Sequence, residues 1–171
     1  MIELLLGLDL QPKARIADVG AGSGALGITA QFEMPDASVE LLEIDDAAIE
    51  VARMNVVNHT LTIPVIKSDL LNQSTQDYDV LLCNLPYVPD DFHINTAALH
   101  EPKIALFGGP DGLNLYRALF SDMQNLQYKP LYILTEALPP QHLELQAIAS
   151  SHGYHLIQSD DFIQVFSPTV S

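Results

Sequence analysis

Two groups of residues in this 171-residue chain have the types and spacing to do chemistry. The first is Asp18-Val19-Gly20-Ala21-Gly22-Ser23-Gly24, with Glu43 and Asp69 downstream. Glycines in such a turn let the backbone approach a ligand closely and take dihedrals that other residues avoid. Glu43 follows at about the 20-residue distance at which a carboxylate can accept both hydroxyls of a ribose. Asp69, in Lys67-Ser68-Asp69-Leu70, can accept from an adenine amino group. Ile44, Leu70 and Asn84 complete the candidate cofactor-binding set with Asp18, Gly20, Ala21, Gly22, Gly24, Glu43 and Asp69. The glycines alone do not identify the ligand, because Gly22-x-Gly24-x-x-Gly27 also fits the dinucleotide fingerprint. Asp18 favours S-adenosylmethionine over a nicotinamide cofactor: a carboxylate there can orient the ammonium group of a sulfonium ligand, directly or through water.

The second group is Asn84-Leu85-Pro86-Tyr87, all four read as substrate-binding and Asn84, Pro86 and Tyr87 as catalytic. A planar amide or amine nitrogen needs orientation more than it needs a base. The side-chain oxygen of Asn84 and a backbone carbonyl can accept both N–H groups, and the Tyr87 ring face can hold the planar group. Orientation of this kind is worth up to roughly 7–11 kcal/mol in favourable systems. Such a loop has no role in a dehydrogenase, and its place after a buried strand argues against an ordinary proline turn.

These residues need a scaffold, and the chain alternates strand-like with helix-like segments, the pattern of a parallel sheet covered by helices on both faces. Strands are expected at Arg15–Val19, Ser38–Glu43, Pro64–Lys67, Tyr78–Cys83 and Leu131–Glu136, with a closing hairpin of Tyr154–Gln158 and Phe162–Phe166. Helices are expected over Ile2–Leu8, Ser23–Met34, Ala47–His59 (capped by Asp45 or Asp46), Gly112–Leu126 and Pro140–His152. Every motif then falls at the carboxyl end of a strand, where open α/β sheets bind ligands. A long proline-broken loop is expected from residue 84 to 111, a length that is usually functional or disordered.

Length and composition fit one domain with a sizeable core. The formal net charge is −15, from seven Lys and Arg against 22 Asp and Glu. The few basic residues are scattered, which disfavours unaided nucleic-acid binding, since that normally requires neutralising several phosphates. No apolar run approaches the roughly 20 residues that span a bilayer, and the N-terminus does not read as a signal peptide. The lone Cys83 fits a reducing, cytoplasmic setting and reads as a small buried strand residue. The six histidines show no metal spacing, so no metal is expected, and Asp90-Asp91 and Asp160-Asp161 read as solvated loop charges. Phe107 could line the substrate pocket or simply pack, and Glu101 could approach the pocket or anchor the loop.

The glycine loop, Asn84-Leu85-Pro86-Tyr87 and the stretch from Glu101-Pro102-Lys103-Ile104-Ala105-Leu106 through Phe107-Gly108-Gly109-Pro110 to Asp111-Gly112-Leu113 together resemble the HemK/PrmC family. Tyr116-Arg117, Thr135-Glu136 and Gln141 also fit its pattern, and the likeness runs from about Ile2 to Phe166. The resemblance implies a Rossmann-like class I methyltransferase with a mostly parallel seven-stranded sheet and an antiparallel terminal hairpin. It implies S-adenosylmethionine as cofactor, S-adenosylhomocysteine as product, and a peptide chain release factor as substrate, methylated at N5 of the glutamine in its Gly-Gly-Gln motif. Leu85 departs from the family's first proline, and Asn-Leu-Pro-Tyr is also the form seen in rRNA adenine dimethyltransferases. A backbone carbonyl is all that position would contribute, and leucine supplies it as well as proline. The N-terminal recognition domain of bacterial members is not found, nor the Pro-Arg-x-x-Thr-Glu-like stretch before the catalytic domain. Residues 1–171 are therefore expected to be a single catalytic domain, either a natural one working with a small activating subunit or a fragment. Two other functions compete: a nucleic-acid adenine N6-methyltransferase using the same loop, and a non-catalytic adenosylmethionine-binding partner subunit.

Overall fold

The computed structural model describes residues 1–74, 76–90 and 107–169. A short helix α1 (Ile2–Leu6) leads into strand β1 (Arg15–Val19), helix α2 (Ala25–Glu33), strand β2 (Ser38–Glu43), helix α3 (Asp46–Asn58) and strand β3 (Val65–Lys67). After β4 (Val80–Cys83) come helix α4 (Asn114–Asp122), β5 (Tyr132–Glu136), helix α5 (His142–Ser151), β6 (Tyr154–Asp160) and β7 (Ile163–Pro168). The seven strands form one sheet in the order β3-β2-β1-β4-β5-β7-β6. The pairs β1–β2, β2–β3, β1–β4 and β4–β5 are parallel. β7 runs antiparallel to both β5 and β6, so the expected hairpin closes the sheet.

The central strands explain their own position. β4 is Val-Leu-Leu-Cys with every residue buried, as a parallel strand covered on both faces must be. On one face, α4 packs Tyr116, Leu119 and Phe120, and α5 packs Leu145, Ile148 and Ala149, against Ala17, Leu81, Ile133 and Phe166. On the other, α1, α2 and α3 supply Leu5, Ile28, Ala30, Ala52 and Val56 against Ile16, Leu41, Leu82 and Leu134. Asp45 caps α3 by accepting from the Ala48 amide at 2.9 Å, which decides between the two candidate caps.

Element ends differ from expectation for local reasons. β4 begins at Val80 instead of Tyr78; Asp79 donates its N–H to the Arg15 carbonyl, and the Tyr78 hydroxyl turns to Glu40 at 2.6 Å. α4 begins at Asn114, because Gly112 sits at a left-handed φ of +76°. It ends at Asp122 and tightens into a 3₁₀ turn over Met123–Asn125. The helix expected from Pro140 opens as a 3₁₀ turn, Pro139–Gln141. The hairpin is longer than expected and carries a bulge between Leu156 and Gln158.

Candidate active site

Sheet register gathers the functional residues. Val19 pairs with Leu42 on one side and Cys83 on the other, and Cys83 pairs with Thr135. The next residues are therefore Glu43, Gly20, Asn84 and Glu136, in one row across the carboxyl ends of β2, β1, β4 and β5. Neighbouring strands lie about 4.8 Å apart, so the row spans a small ligand and its acceptor.

Gly20, Gly22 and Gly24 take φ of +70°, +56° and +78°, the left-handed region in which a side chain is strained. A Cβ at Gly22 would meet no atom within 4 Å, so the loop opens onto free space there, as a cradle for a ligand must. A Cβ at Gly20 would lie 2.7 Å from Cδ2 of Leu85. The glycine loop and the Asn84 loop are thus in direct contact, and the buried Leu85 side chain is the contact.

The two acidic residues nearest the glycines each bind backbone. Oε2 of Glu43 accepts from the Gly22 amide at 2.7 Å, and Oε1 accepts from Ile44 at 2.8 Å and Asp45 at 2.9 Å. A carboxylate offers about four lone-pair sites, so Glu43 sets the loop's shape with three of them and keeps about one for a ribose hydroxyl. Asp18 is 2% exposed and accepts from the Gly27 amide at 2.7 Å, tying β1 to the first turn of α2. Its carboxyl is raised to about 7, first by desolvation; the Gly27 bond lowers it and the charge of Glu43 raises it. Asp69 is exposed two residues beyond β3, with its amide donating to Gln73. Leu70, half-buried, follows at φ +48°, and Ile44 is 51% exposed beside Glu43.

In the loop after β4 Asn84 is exposed, and its side chain makes no hydrogen bond among the described residues. Pro86 and Tyr87 are half-buried, and the Tyr87 hydroxyl donates to Oε1 of Glu136 at 3.0 Å. The buried Tyr116 hydroxyl lies within hydrogen-bond reach of the Cys83 and Glu136 carbonyls, with one proton to donate between them. Gln141 donates from Nε2 to the carbonyls of Tyr87 and Asp111, both at 2.7 Å. Glu136, Tyr116 and Gln141 carried no assigned task in the sequence; a carboxylate ending a buried strand, as in Glu43, was the available signal for Glu136.

Cys83 lies fully buried in β4, its thiol held well above the ordinary range by burial and then by the charge of Asp18. Phe107 is half-buried and bridges to Val88, so residues 88 and 107 bring the two described ends of the long loop together. Asp111 pairs with Arg117, whose hydrogen bonds hold its carboxyl down to about 2. Glu101 to Leu106, together with Asp91, His93 and His100, lie outside the described residues. Among the described residues no helix is long and apolar enough to cross a membrane.

The sheet order, the reversed β7 and a glycine turn after β1 define a class I methyltransferase fold. The Methyltransferase small domain family matches residues 3–101, and the chain belongs to that family. Among its relatives, the release factor glutamine methyltransferase of Streptococcus pneumoniae is 34% identical over 71% of this chain and 45% of its own length. The ribosomal protein uL3 glutamine methyltransferase of Francisella tularensis is 34% identical over 65% of this chain and 37% of its length. The chain thus spans less than half the length of these two relatives. Among solved structures, the ribosomal protein L11 methylase of Lactobacillus delbrueckii superposes with a TM-score of 0.71 at 16% identity, over 99% of this chain and 78% of that one. Family and fold are those of S-adenosylmethionine-dependent methyltransferases.

Proposed function

We propose that this chain is the catalytic domain of an S-adenosylmethionine-dependent N-methyltransferase whose acceptor is a glutamine side-chain amide, that of the Gly-Gly-Gln motif in a peptide chain release factor. The observation that carries the reading is Asn84: a polar side chain, exposed and unpaired among the described residues, in the row between the glycine loop and Glu136. Relatives named for glutamine methylation of two different proteins support an amide acceptor.

The residues present suit the cofactor. Gly20, Ala21, Gly22 and Gly24 would take its amino-acid end over the open turn, and Asp18 would balance its positive charge through the loop. Glu43, Ile44, Asp69 and Leu70 would hold the adenosine. When bound, the cofactor supplies an electrophilic methyl group on a sulfonium sulfur. Asn84 Oδ1 and the Leu85 carbonyl would each accept one N–H of the acceptor amide and so orient its nitrogen. Tyr87 packs its ring on the amide plane, and Glu136 fixes the ring by holding its hydroxyl. The amide nitrogen would carry the methyl group in place of one of its two hydrogens, that proton leaving to solvent. A small activating subunit is a further element of this proposal, one that would help seat the acceptor.

Transfer of radiolabelled methyl to separated protein and RNA fractions tests the reading. Label in a release factor is the expected result. Label in adenines of RNA, with the release factor unmodified even when a partner subunit is present, would reject it in favour of a nucleic-acid enzyme. Binding of a nicotinamide dinucleotide and not of the adenosyl cofactor would reject the cofactor as well.

A further inference from the structure

We propose that Gln141 is a positioning residue for methyl transfer, acting through the backbone of Tyr87; the inference rests on reading residues 84–87 as the acceptor loop. Gln141 is only 8% exposed, at the end of the 3₁₀ turn that precedes α5. All the hydrogen-bonding groups of its amide are engaged. Nε2 donates to the Tyr87 carbonyl and to the Asp111 carbonyl, each at 2.7 Å, and Oε1 accepts from the Leu138 amide at 2.8 Å. One side chain thus ties together three segments that are far apart in sequence: the acceptor loop, the Gly108–Leu113 turn and the β5–α5 connection.

The site is built around that clamp. A Cβ at Gly112 would collide with the Tyr87 carbonyl and with Nε2 of Gln141, so only glycine lets the turn come this close. A Cβ at Gly108 would strike the Pro86 carbonyl, and the Gly108 amide donates to the Val88 carbonyl at 2.9 Å. The Tyr87 peptide plane is therefore fixed on its carbonyl side by Gln141, while its hydroxyl is fixed by Glu136 at 3.0 Å. Two anchors at opposite ends of one residue set the ring's orientation, and with it the plane against which an amide acceptor must lie. The consequence is specific: loss of the clamp misorients the acceptor and leaves the cofactor residues, at and just beyond the ends of β1, β2 and β3, in place.

The test uses Gln141→Glu and Gln141→Met, which keep the side chain's length and remove both donors. Ile148→Ala, a core truncation on α5 that removes no hydrogen bond, serves as a control of matched thermal destabilisation. The expected result is a fall in kcat of about tenfold or more. Acceptor KM and S-adenosylmethionine Kd should stay within about twofold of wild type, while Ile148→Ala keeps its kcat. Hydrogen exchange in the peptides covering Asn84–Asp90 and Gly108–Leu113 should rise in both Gln141 variants and not in the control. This readout needs no acceptor, so it decides the positioning role even if wild type fails to methylate a release factor, a failure that would count against the proposed function instead. Exchange unchanged from wild type, or a loss of kcat and cofactor affinity in parallel with the control, would overturn the proposal.

Discussion

At the residue scale the most informative group is Asp18, buried, bound to the Gly27 amide and close enough to Glu43 to feel its charge. Its carboxyl is raised from an ordinary 3.8 to about 7, so the folded state binds its proton more tightly than the unfolded state does. The stability this contributes is fully present below the ordinary value and is lost as pH rises through about 7. Wild type should therefore lose stability relative to Asp18→Asn between about pH 4 and about pH 8, seen as a widening gap in Tm. A cationic cofactor placed over the loop would favour the ionised form. Binding should then release a proton and tighten with pH, which calorimetry in buffers of different ionisation enthalpy will detect. Asn84→Ala separates donor from acceptor: transfer should fall by about 100-fold or more while cofactor Kd stays nearly unchanged. Equal loss of both would make the loop structural.

At the element scale, the strand ends were legible because their signals are local. A buried apolar run followed by Gly-x-Gly, or by Asn-Leu-Pro-Tyr, marks a parallel strand and the loop that leaves it, and β1, β2, β4 and β5 formed where the pattern required. What lay outside the sequence was mutual placement. That Glu43 spends its oxygens on three amides, that Leu85 packs on Gly20, and that Gln141 reaches back to Tyr87 are facts of tertiary contact between residues far apart in the chain. Glu43→Ala should accordingly cost more than cofactor affinity. Removing a charged acceptor from three amides should also destabilise the fold by about 1–3 kcal/mol, measured by denaturant unfolding. On β7, Gln164 is fully buried with neither side-chain amide atom hydrogen-bonded among the described residues. Gln164→Met should raise stability by about 1–3 kcal/mol by removing that unsatisfied group; a loss of stability would mean the amide has a partner.

At the scale of the whole molecule, the charge of −15 and the shared length with longer relatives shape what the chain can recognise. An acidic surface repels phosphates, so a protein loop is a more accessible acceptor than a duplex. The Streptococcus pneumoniae relative has more than half its length outside the match. If that remainder grips the acceptor, residues 1–171 alone should show a raised acceptor KM with a smaller change in kcat, because remote binding energy is lost while the reacting groups stay aligned. Adding the unmatched part of a relative, or a small activating subunit, should recover much of kcat/KM.

Asn84 is proposed to present a side-chain amide to the methyl donor. Mass spectrometry of a release factor incubated with the chain and S-adenosylmethionine tests it most directly, with Asn84→Ala in parallel. One added methyl group on the glutamine of the Gly-Gly-Gln peptide is expected, absent with the variant. A release factor left unmodified, or a methyl group placed equally well by Asn84→Ala, would contradict it.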